Sequence, residues 1–409
     1  MRIGFFTDTY LPVRSGMEIS IETFRIGLER LGHEVHVFAP TMHGYNDVNP
    51  NVVRFRSIRV LKNPEMRLAS EWNSPNKSLK EIRAIKLDVV HAHSPFTMGL
   101  LGRHIARVQK IPFIFTNHTH HTEYTRVYFA GLFFPKMMEK WIRWFSNQAD
   151  EVIVPSYKFQ KVLEEYGVRS PIEILQTGIN VDRFKKTSEA LEAAKQLRAK
   201  YNIPEDAPIL LYVGRMSEEK NISYLVNAIG ALARTRPDVY MFFVGNGQHI
   251  DVYQAQAQKL GFKNAIFTGV IKPENIVPYY HSASAFIFAS LTDTQGIVIL
   301  EAMACGMPVV ALEDNAFKEV INNGQNGFLI PNNAAPELFA NKIAEVLEKK
   351  PEYAHLGEHA LLTAQQFTEM AQAQKLVSLY ESLIAKKKAG AGASTQPTVV
   401  ASGNPATSL

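Results

Sequence analysis

The sequence predicts an α/β protein of two doubly wound domains with a cleft between them, and three observations carry that expectation. A chain of 409 residues with 46% hydrophobic content exceeds what one core usually supports. Short β-rich runs alternate with amphipathic helical patterns as far as Gln176, which describes a mostly parallel sheet with right-handed helical crossovers. After a turn-rich linker, Thr177 to Thr187, the alternation starts again.

Element by element, Arg2 to Phe6 reads as a strand, Met17 to Leu31 as an amphipathic helix closed by Gly32, and Glu34 to Phe38 as the next strand. DVVHAH (88 to 93), PFIFT (112 to 116), EVIVP (151 to 155) and IEILQ (172 to 176) continue the series. PILLYVG (208 to 214), VYMFFVG (239 to 245), AIFTG (265 to 269), AFIFAS (285 to 290) and PVVAL (308 to 312) make a second sheet of the same kind. The expected units are residues 1–178, residues 188–350, C-terminal helices over 351–388 and an uncharged Ala, Gly, Ser, Thr and Pro tail over 389–409 that reads as disordered. Two doubly wound units in tandem leave a crevice where the carboxyl ends of both sheets can face one ligand.

Composition narrows the function classes. Cys305 is the single cysteine, so neither a disulfide framework nor a thiolate metal site can be built from this chain. MRIGFFTDTYLPV lacks the apolar run and cleavage site of a secretion signal, and no stretch approaches the roughly 18 apolar residues of a membrane span, so a cytoplasmic location is expected. Residues 1–178 hold 23 Lys+Arg against 17 Asp+Glu and nine of the 13 histidines; the remainder holds 21 against 22. A basic half attracts polyanions, or simply keeps the chain soluble.

YVGRMSEEKN (212 to 221) ends a strand at Gly214 and sets Arg215 and Lys220 around the opening of a helix that Ser217 can cap. Two cations there oppose the helix dipole, an arrangement that suits a bound diphosphate or, alternatively, solvated surface charge. In FASLTDTQGIVILEAMACGMPVV (288 to 310), Asp293 stands at a strand's carboxyl end and Glu301 in the second turn of the following helix. Gly296 permits close backbone approach where Ile297 begins that helix. Paired carboxylates at such an edge accept hydrogen bonds from the adjacent hydroxyls of a sugar or ribose. The competing roles are helix capping for Asp293 and a buried ion pair for Glu301.

In the first half, Ser15-Gly16 can place backbone amides near a phosphate. TNHTHHTEY (116 to 124) offers His118, His120 and His121, whose spacing does not match a zinc site and better suits hydrogen bonding to a polar substrate. The chain has no Asp-x-Asp, so a diphosphate is expected to be neutralised by Arg215, Lys220 and helix ends, and no metal site is expected. YFAGLFFPKMMEKWIRWFSNQAD (128 to 150) mixes Phe133, Phe134, Met137, Met138, Trp141, Ile142, Trp144 and Phe145 with Lys136, Lys140 and Arg143. It reads as a helix lying on an anionic membrane surface, or as an amphipathic core helix. Nucleic acid is not expected as a partner, because RFRSIRVLK (54 to 62) alone approaches the basic strands that base stacking needs.

In order, YVGRMSEEKN, VGNGQ (244 to 248), FTGVI (267 to 271) and TDTQGIVILEAMACGMPVVA (292 to 311) resemble the retaining glycosyltransferases of family 4, whose GT-B fold is two facing Rossmann-like domains. The similarity extends from about residue 1 to 385. TNHTHHTEY and TDTQG are similar to the subgroup that glycosylates diacylglycerol and, more distantly, to phosphatidylinositol mannosyltransferases. The resemblance implies that Arg215 and Lys220 hold the donor diphosphate with Gly16 beside it, and that Glu301 binds the nucleotide ribose. It further implies that Asp293, where the family usually has glutamate, contacts the transferred sugar, and that His118 faces that sugar near the reacting carbon. Ser15-Gly16 replaces a pair of glycines common in the family.

The implied reaction is a front-face displacement with retained anomeric configuration, in which the leaving diphosphate takes the acceptor's proton. The expected catalytic set is His118, Asp293, Arg215 and Lys220; the nucleotide-binding set is Gly16, Arg215, Lys220, Gly296, Ile297 and Glu301. The expected donor is UDP-glucose, used without an essential divalent metal. The expected acceptor is a membrane lipid, 1,2-diacylglycerol, at the cytoplasmic face of a membrane. Mannosyl transfer to a phosphatidylinositol-type or soluble acceptor is the alternative, and a sugar-nucleotide epimerase or non-catalytic binder the alternative of another class.

Overall fold

The computed structural model describes residues 1–13, 15–60, 63–69, 84–119, 134–348 and 351–393. His120, His121, Phe133 and residues 394–409 of the expected tail therefore lie outside the described residues, while residues 389–393, expected in that tail, continue the last helix. The first half runs β1 (Arg2–Phe6), α1 (Gly16–Arg30), β2 (Glu34–Pro40) and β3 (Val52–Phe55), followed by an antiparallel hairpin of β4 (Ser57–Val60) and β5 (Asn63–Ala69). It continues with β6 (Val89–Ala92), α2 (Thr97–Gln109), β7 (Phe113–Thr116), α3 (Phe134–Ser146), β8 (Glu151–Val154), α4 (Tyr157–Glu165) and β9 (Ile172–Ile174). A parallel sheet in the order β3-β2-β1-β6-β7-β8-β9 results. Its central strands are apolar runs because helices cover both faces, so neither face can be polar.

The second half runs α5 (Ser188–Lys200), β10 (Ile209–Val213), α6 (Ile222–Ala233), β11 (Tyr240–Val244), α7 (Ile250–Lys259), β12 (Ala265–Gly269), α8 (Val277–Ser282) and β13 (Ala285–Phe288). It then runs α9 (Ile297–Ala304), β14 (Val309–Leu312), β15 (Gly327–Ile330), α10 (Pro336–Leu347), α11 (Leu356–Gln366) and α12 (Glu369–Ala393). Its six strands form a parallel sheet ordered β12-β11-β10-β13-β14-β15. The strand order reverses between β1 and β6 in one sheet and between β10 and β13 in the other. Those are the points where doubly wound sheets open a crevice beyond their strand ends.

The carboxyl edges of the two sheets meet along one flank. Lys158, at the start of α4, donates to Leu291 O at 2.7 Å and pairs with Asp314 at 2.6 Å; these two partners follow β13 and β14. Glu319 accepts from the Tyr157 amide and, at 2.6 Å, from Gln176 Nε2. α12 returns the chain to the first sheet, where Leu376, Val377, Tyr380 and Leu383 join the core face built on Phe5, Ile21 and Leu28. Arg30 and Glu369 are paired at 2.8 Å beside that seam.

Of the stretch 128 to 150, expected as a helix lying on a membrane surface or as an amphipathic core helix, the described helix is α3, and residues 128–133 lie outside the described residues. In α3, Ile142 and Phe145 are fully buried, Met138 and Trp141 pack on the same core, and Trp141 Nε1 donates to Pro95 O at 3.1 Å. Lys136, Met137, Lys140, Arg143 and Trp144 are exposed. Their helical spacing puts them on one outward face, and the Arg103 guanidinium lies 5.2 Å over the Trp144 ring. The aromatic residues thus divide between core and surface. No helix among the described residues is long and apolar enough to cross a membrane.

Candidate active site

Three loops at the carboxyl edge of the second sheet are pressed together. Gly245 and Gly247 allow it: a Cβ on either would fall 1.9 Å from a carbonyl oxygen of the loop after β10, Gly214 O in one case and Met216 O in the other. Met216 N donates to Asn246 O at 2.9 Å, and the buried Tyr212 hydroxyl donates to Arg215 O at 3.0 Å. Met216 is wholly buried, and the preceding Arg215 is exposed with no side-chain hydrogen bond or ion pair among the described residues.

Ser217 does not cap the helix, contrary to the expectation from YVGRMSEEKN. Its hydroxyl is buried and unpartnered among the described residues. A single 3-10 turn, Glu218–Lys220, intervenes, and α6 starts at Ile222 only after Asn221 adopts a left-handed conformation, φ 56°. That reversal carries Lys220 towards the turn after β13, where its Nζ lies 2.9 Å from Asp293 Oδ1. Thr292 Oγ1 donates to Glu219 O at 3.1 Å and Asn221 Nδ2 to Ala289 O at 3.4 Å, so two loops distant in sequence are stitched into one wall. Lys220 therefore has a protein anion of its own, whereas Arg215 has none among the described residues.

Asp293 does not cap a helix either. The N-cap of α9 is Gly296, at φ 72°, where a Cβ would crowd Ile299 and the Phe317 ring at 3.0 Å. Asp293 Oδ2 is buried and without a partner among the described residues, an acceptor left open beside an ammonium group. On α9, Ile297, Val298 and Glu301, with Cys305 just past its end, form the partly exposed stripe while Ile299, Leu300, Ala302, Met303 and Ala304 are buried. Glu301 Oε2 accepts a 2.6 Å hydrogen bond from the Tyr280 hydroxyl. Burial pushes the Glu301 carboxyl up from its ordinary value, opposed by that bond and by the nearby Arg183 charge.

Across the crevice, the site residues lie after β1, β6 and β7. Gly16 opens α1, and a Cβ there would meet nothing, so this helix end faces open space. The preceding Ser15 amide is already taken by Glu18 Oε2 at 2.9 Å. His118 Nε2 lies 3.0 Å from His93 Nδ1, with the rings stacked, and His93 leans on Phe5 and His91. Burial holds His91 and His93 well below the usual histidine range, so both are neutral. Asp8, whose carboxyl burial pushes up, ties this edge together by accepting from Ser94 Oγ and Thr97 Oγ1 at 2.5 Å and from Met98 N at 3.0 Å. An open cavity of about 480 Å3 lies beyond β2 and β3, lined by Thr41, His43, Tyr45, Ser57 and Arg67 among others.

A short relay joins the two edges. Thr177 N donates to Gln295 Oε1 and Gln295 Nε2 donates to Thr177 O, both at 2.8 Å; Thr177 Oγ1 donates to Ser20 Oγ at 2.7 Å. Thus α1, which begins at Gly16, is tied to the turn that holds Asp293 and Gly296. Gln295 stood inside the quoted TDTQG motif without being singled out; Tyr280 and Thr177 carried no local signal for a site role.

Two family models match the chain: Glycosyltransferase Family 4 over residues 14–183 and Glycosyl transferases group 1 over residues 193–362. The alpha-monoglucosyldiacylglycerol synthase of Streptococcus pneumoniae is 33% identical over 364 residues, covering 88% of this chain and 81% of the relative. The chain belongs to glycosyltransferase family 4. A second alpha-monoglucosyldiacylglycerol synthase, from Acholeplasma laidlawii, is 29% identical to this glycosyltransferase over 407 residues, covering 94% of the chain and 98% of the relative. The crystal structure of Anabaena Alr3699/HepE in complex with UDP superposes with a TM-score of 0.74 at 19% identity, covering 94% of this chain and all of that one. The sucrose-phosphate synthase of Thermosynechococcus elongatus also gives 0.74, at 22% identity, over 94% of this chain and 99% of that one. The fold is the GT-B arrangement of two Rossmann-like domains, and this family 4 glycosyltransferase is a hexosyltransferase.

Proposed function

We propose that this enzyme transfers glucose from UDP-glucose to the free hydroxyl of 1,2-diacylglycerol, with retention of anomeric configuration, in glycolipid synthesis. The observation that carries the reading is the wall formed by the loops after β10 and β13, where Arg215 has no side-chain partner among the described residues and Lys220 is held 2.9 Å from an Asp293 whose second oxygen is buried and unpartnered among them. It offers positive charge for a diphosphate next to an acceptor for sugar hydroxyls, at the switch point of a doubly wound sheet. The names of the pneumococcal and Acholeplasma relatives support glucose and diacylglycerol as the transferred group and the acceptor.

In this reading Arg215 and Lys220 bind the diphosphate, with the α1 end at Gly16 and the Gly296 and Ile297 amides close to it. Glu301 accepts from the ribose, Asp293 from the glucose, and His118 meets the sugar from the opposite edge. As the bond between the anomeric carbon and the diphosphate oxygen breaks, Arg215 and Lys220 stabilise the growing negative charge. The acceptor oxygen bonds to the anomeric carbon on the face being vacated, and its proton passes to the departing phosphate oxygen. Electron pair and proton both end on UDP, so no side chain need act as a nucleophile. In this reading Arg215, Lys220 and the helix ends neutralise the diphosphate, with Lys220 sharing its charge with Asp293.

The outward face of α3, with Lys136, Met137, Lys140, Arg143 and Trp144, gives such an enzyme a means of resting on the anionic cytoplasmic face of a membrane. Mass spectrometry of lipids after incubation with diacylglycerol and a panel of sugar nucleotides tests the proposal. Glucosyldiacylglycerol from UDP-glucose is expected. A product on a soluble acceptor alone, product from GDP-mannose alone, or conversion of the sugar nucleotide without acceptor would overturn it.

A further inference from the structure

We propose that Tyr280 is a positioning residue for nucleotide binding: its hydroxyl takes one oxygen of Glu301 and so aims the other at the ribose. The inference rests on the reading of Glu301 as the ribose contact. Tyr280 is 1% exposed, and its ring is fixed on two sides, edge-on by Phe184 with centroids 5.5 Å apart and by stacking on Phe286 at 6.2 Å. A tyrosine held in this way has one place to put its hydroxyl, and that place is 2.6 Å from Glu301 Oε2. A glutamate side chain has three rotatable bonds, so without an anchor the stripe of α9 would present its carboxylate in several orientations. With Oε2 engaged, Oε1 is left as the acceptor that a pair of adjacent hydroxyls can share.

The hydrogen bond also favours the ionised carboxylate, the form that accepts from two hydroxyls. The titratable groups around Glu301 are Tyr280 and His281 on α8, Arg183 in the linker and Cys305 just past the end of α9. Burial pushes the Tyr280 hydroxyl up, so it stays a donor, and burial with the Glu301 charge pushes the Cys305 thiol up to about 12, so it stays neutral. Burial lowers His281. Glu301 has its value raised, so nucleotide affinity that depends on its ionised form is present above that value and declines as pH falls through it. Removing the Tyr280 hydroxyl takes away an interaction that favours ionisation, and the acid limb must then move to higher pH.

The test compares wild type, Tyr280→Phe and Glu301→Gln by calorimetric titration with UDP and with 2′,3′-dideoxy-UDP across pH 5 to 9. The phenyl ring preserves the packing, and thermal unfolding of each variant checks it. Tyr280→Phe is expected to bind UDP roughly tenfold more weakly at neutral pH. It should lose most of the preference for UDP over the dideoxy compound, shift the acid limb upward, and in turnover raise the donor KM with kcat little changed. If Glu301→Gln loses that preference while Tyr280→Phe keeps wild-type affinity and an unmoved acid limb, the positioning role is wrong and the ribose reading stands. If Glu301→Gln binds both compounds as wild type does, the ribose reading is wrong and the role of Tyr280 goes with it.

Discussion

On the carboxyl edge of the second sheet, Arg215, Lys220, Asp293 and Glu301 are partly accessible charged groups, carried on loops that glycines and hydrogen bonds press into one wall. On the first sheet's edge the polar groups are closed in on one another: Asp8 is enclosed by Ser94, Thr97 and Met98, and His91 and His93 are buried and neutral. The contrast suits a reaction with one charged and one neutral partner. A diphosphate needs fixed cations and their counter-charges, whereas an alcohol acceptor gains nothing from a charged surface and requires a place to be oriented.

The largest expected effect separates the edges directly. Lys220→Ala should lower kcat by about 10²- to 10³-fold, the scale for removing one preorganised charge from a developing anion. His118→Ala should cost less, about tenfold, when both variants are measured in a radiolabelled transfer assay. Equal losses would mean that the two edges share the electrostatic work.

Stability distinguishes the two edges less sharply and the two tryptophans of α3 more so. Trp141→Ala removes a core-packed ring and its bond to Pro95 O, and should cost about 3 kcal/mol in urea unfolding. Gln295→Ala breaks both bonds to Thr177 and strands a buried amide and carbonyl, so about 2 kcal/mol is expected, together with looser donor binding as the relay from α1 to the Asp293 turn is lost. Trp144→Ala should cost less, about 1 kcal/mol, since the residue is 41% exposed and what it loses is chiefly the Arg103 guanidinium over its ring. Its loss should instead appear in sedimentation with anionic vesicles. A stability loss at Trp144 matching that at Trp141 would place both in the core.

The wall at the carboxyl edge of the second sheet was largely legible in the sequence, because its parts are contiguous: a strand, a turn with glycine and a charge, repeated after β10 and β13. The start of α6 was misread because capping by Ser217 is a local rule, whereas Asn221 and the pull of Asp293 across 73 positions decided where the helix begins. Residues joined through space left no local trace. Tyr280 reads as one more apolar helix residue, and the bond between Thr177 and Gln295 spans 118 positions. β3 was missed because Arg54 interrupts its apolar run, although in the fold that guanidinium is buried against Asp47 at 2.7 Å and the carbonyls of Leu11 and Pro40. The packing of α12 on the first sheet was hidden for the same reason: its apolar side finds a partner nearly the whole chain away.

Whether Arg215 and Lys220 receive the diphosphate is decided by calorimetric titration of UDP and of uridine into wild type and the Arg215→Ala, Lys220→Ala double variant. Wild type should prefer UDP by about 100-fold or more, and the double variant should bind the two nearly alike, with its affinity for uridine intact. A preference for UDP that survives loss of both cations would mean that the diphosphate is held elsewhere.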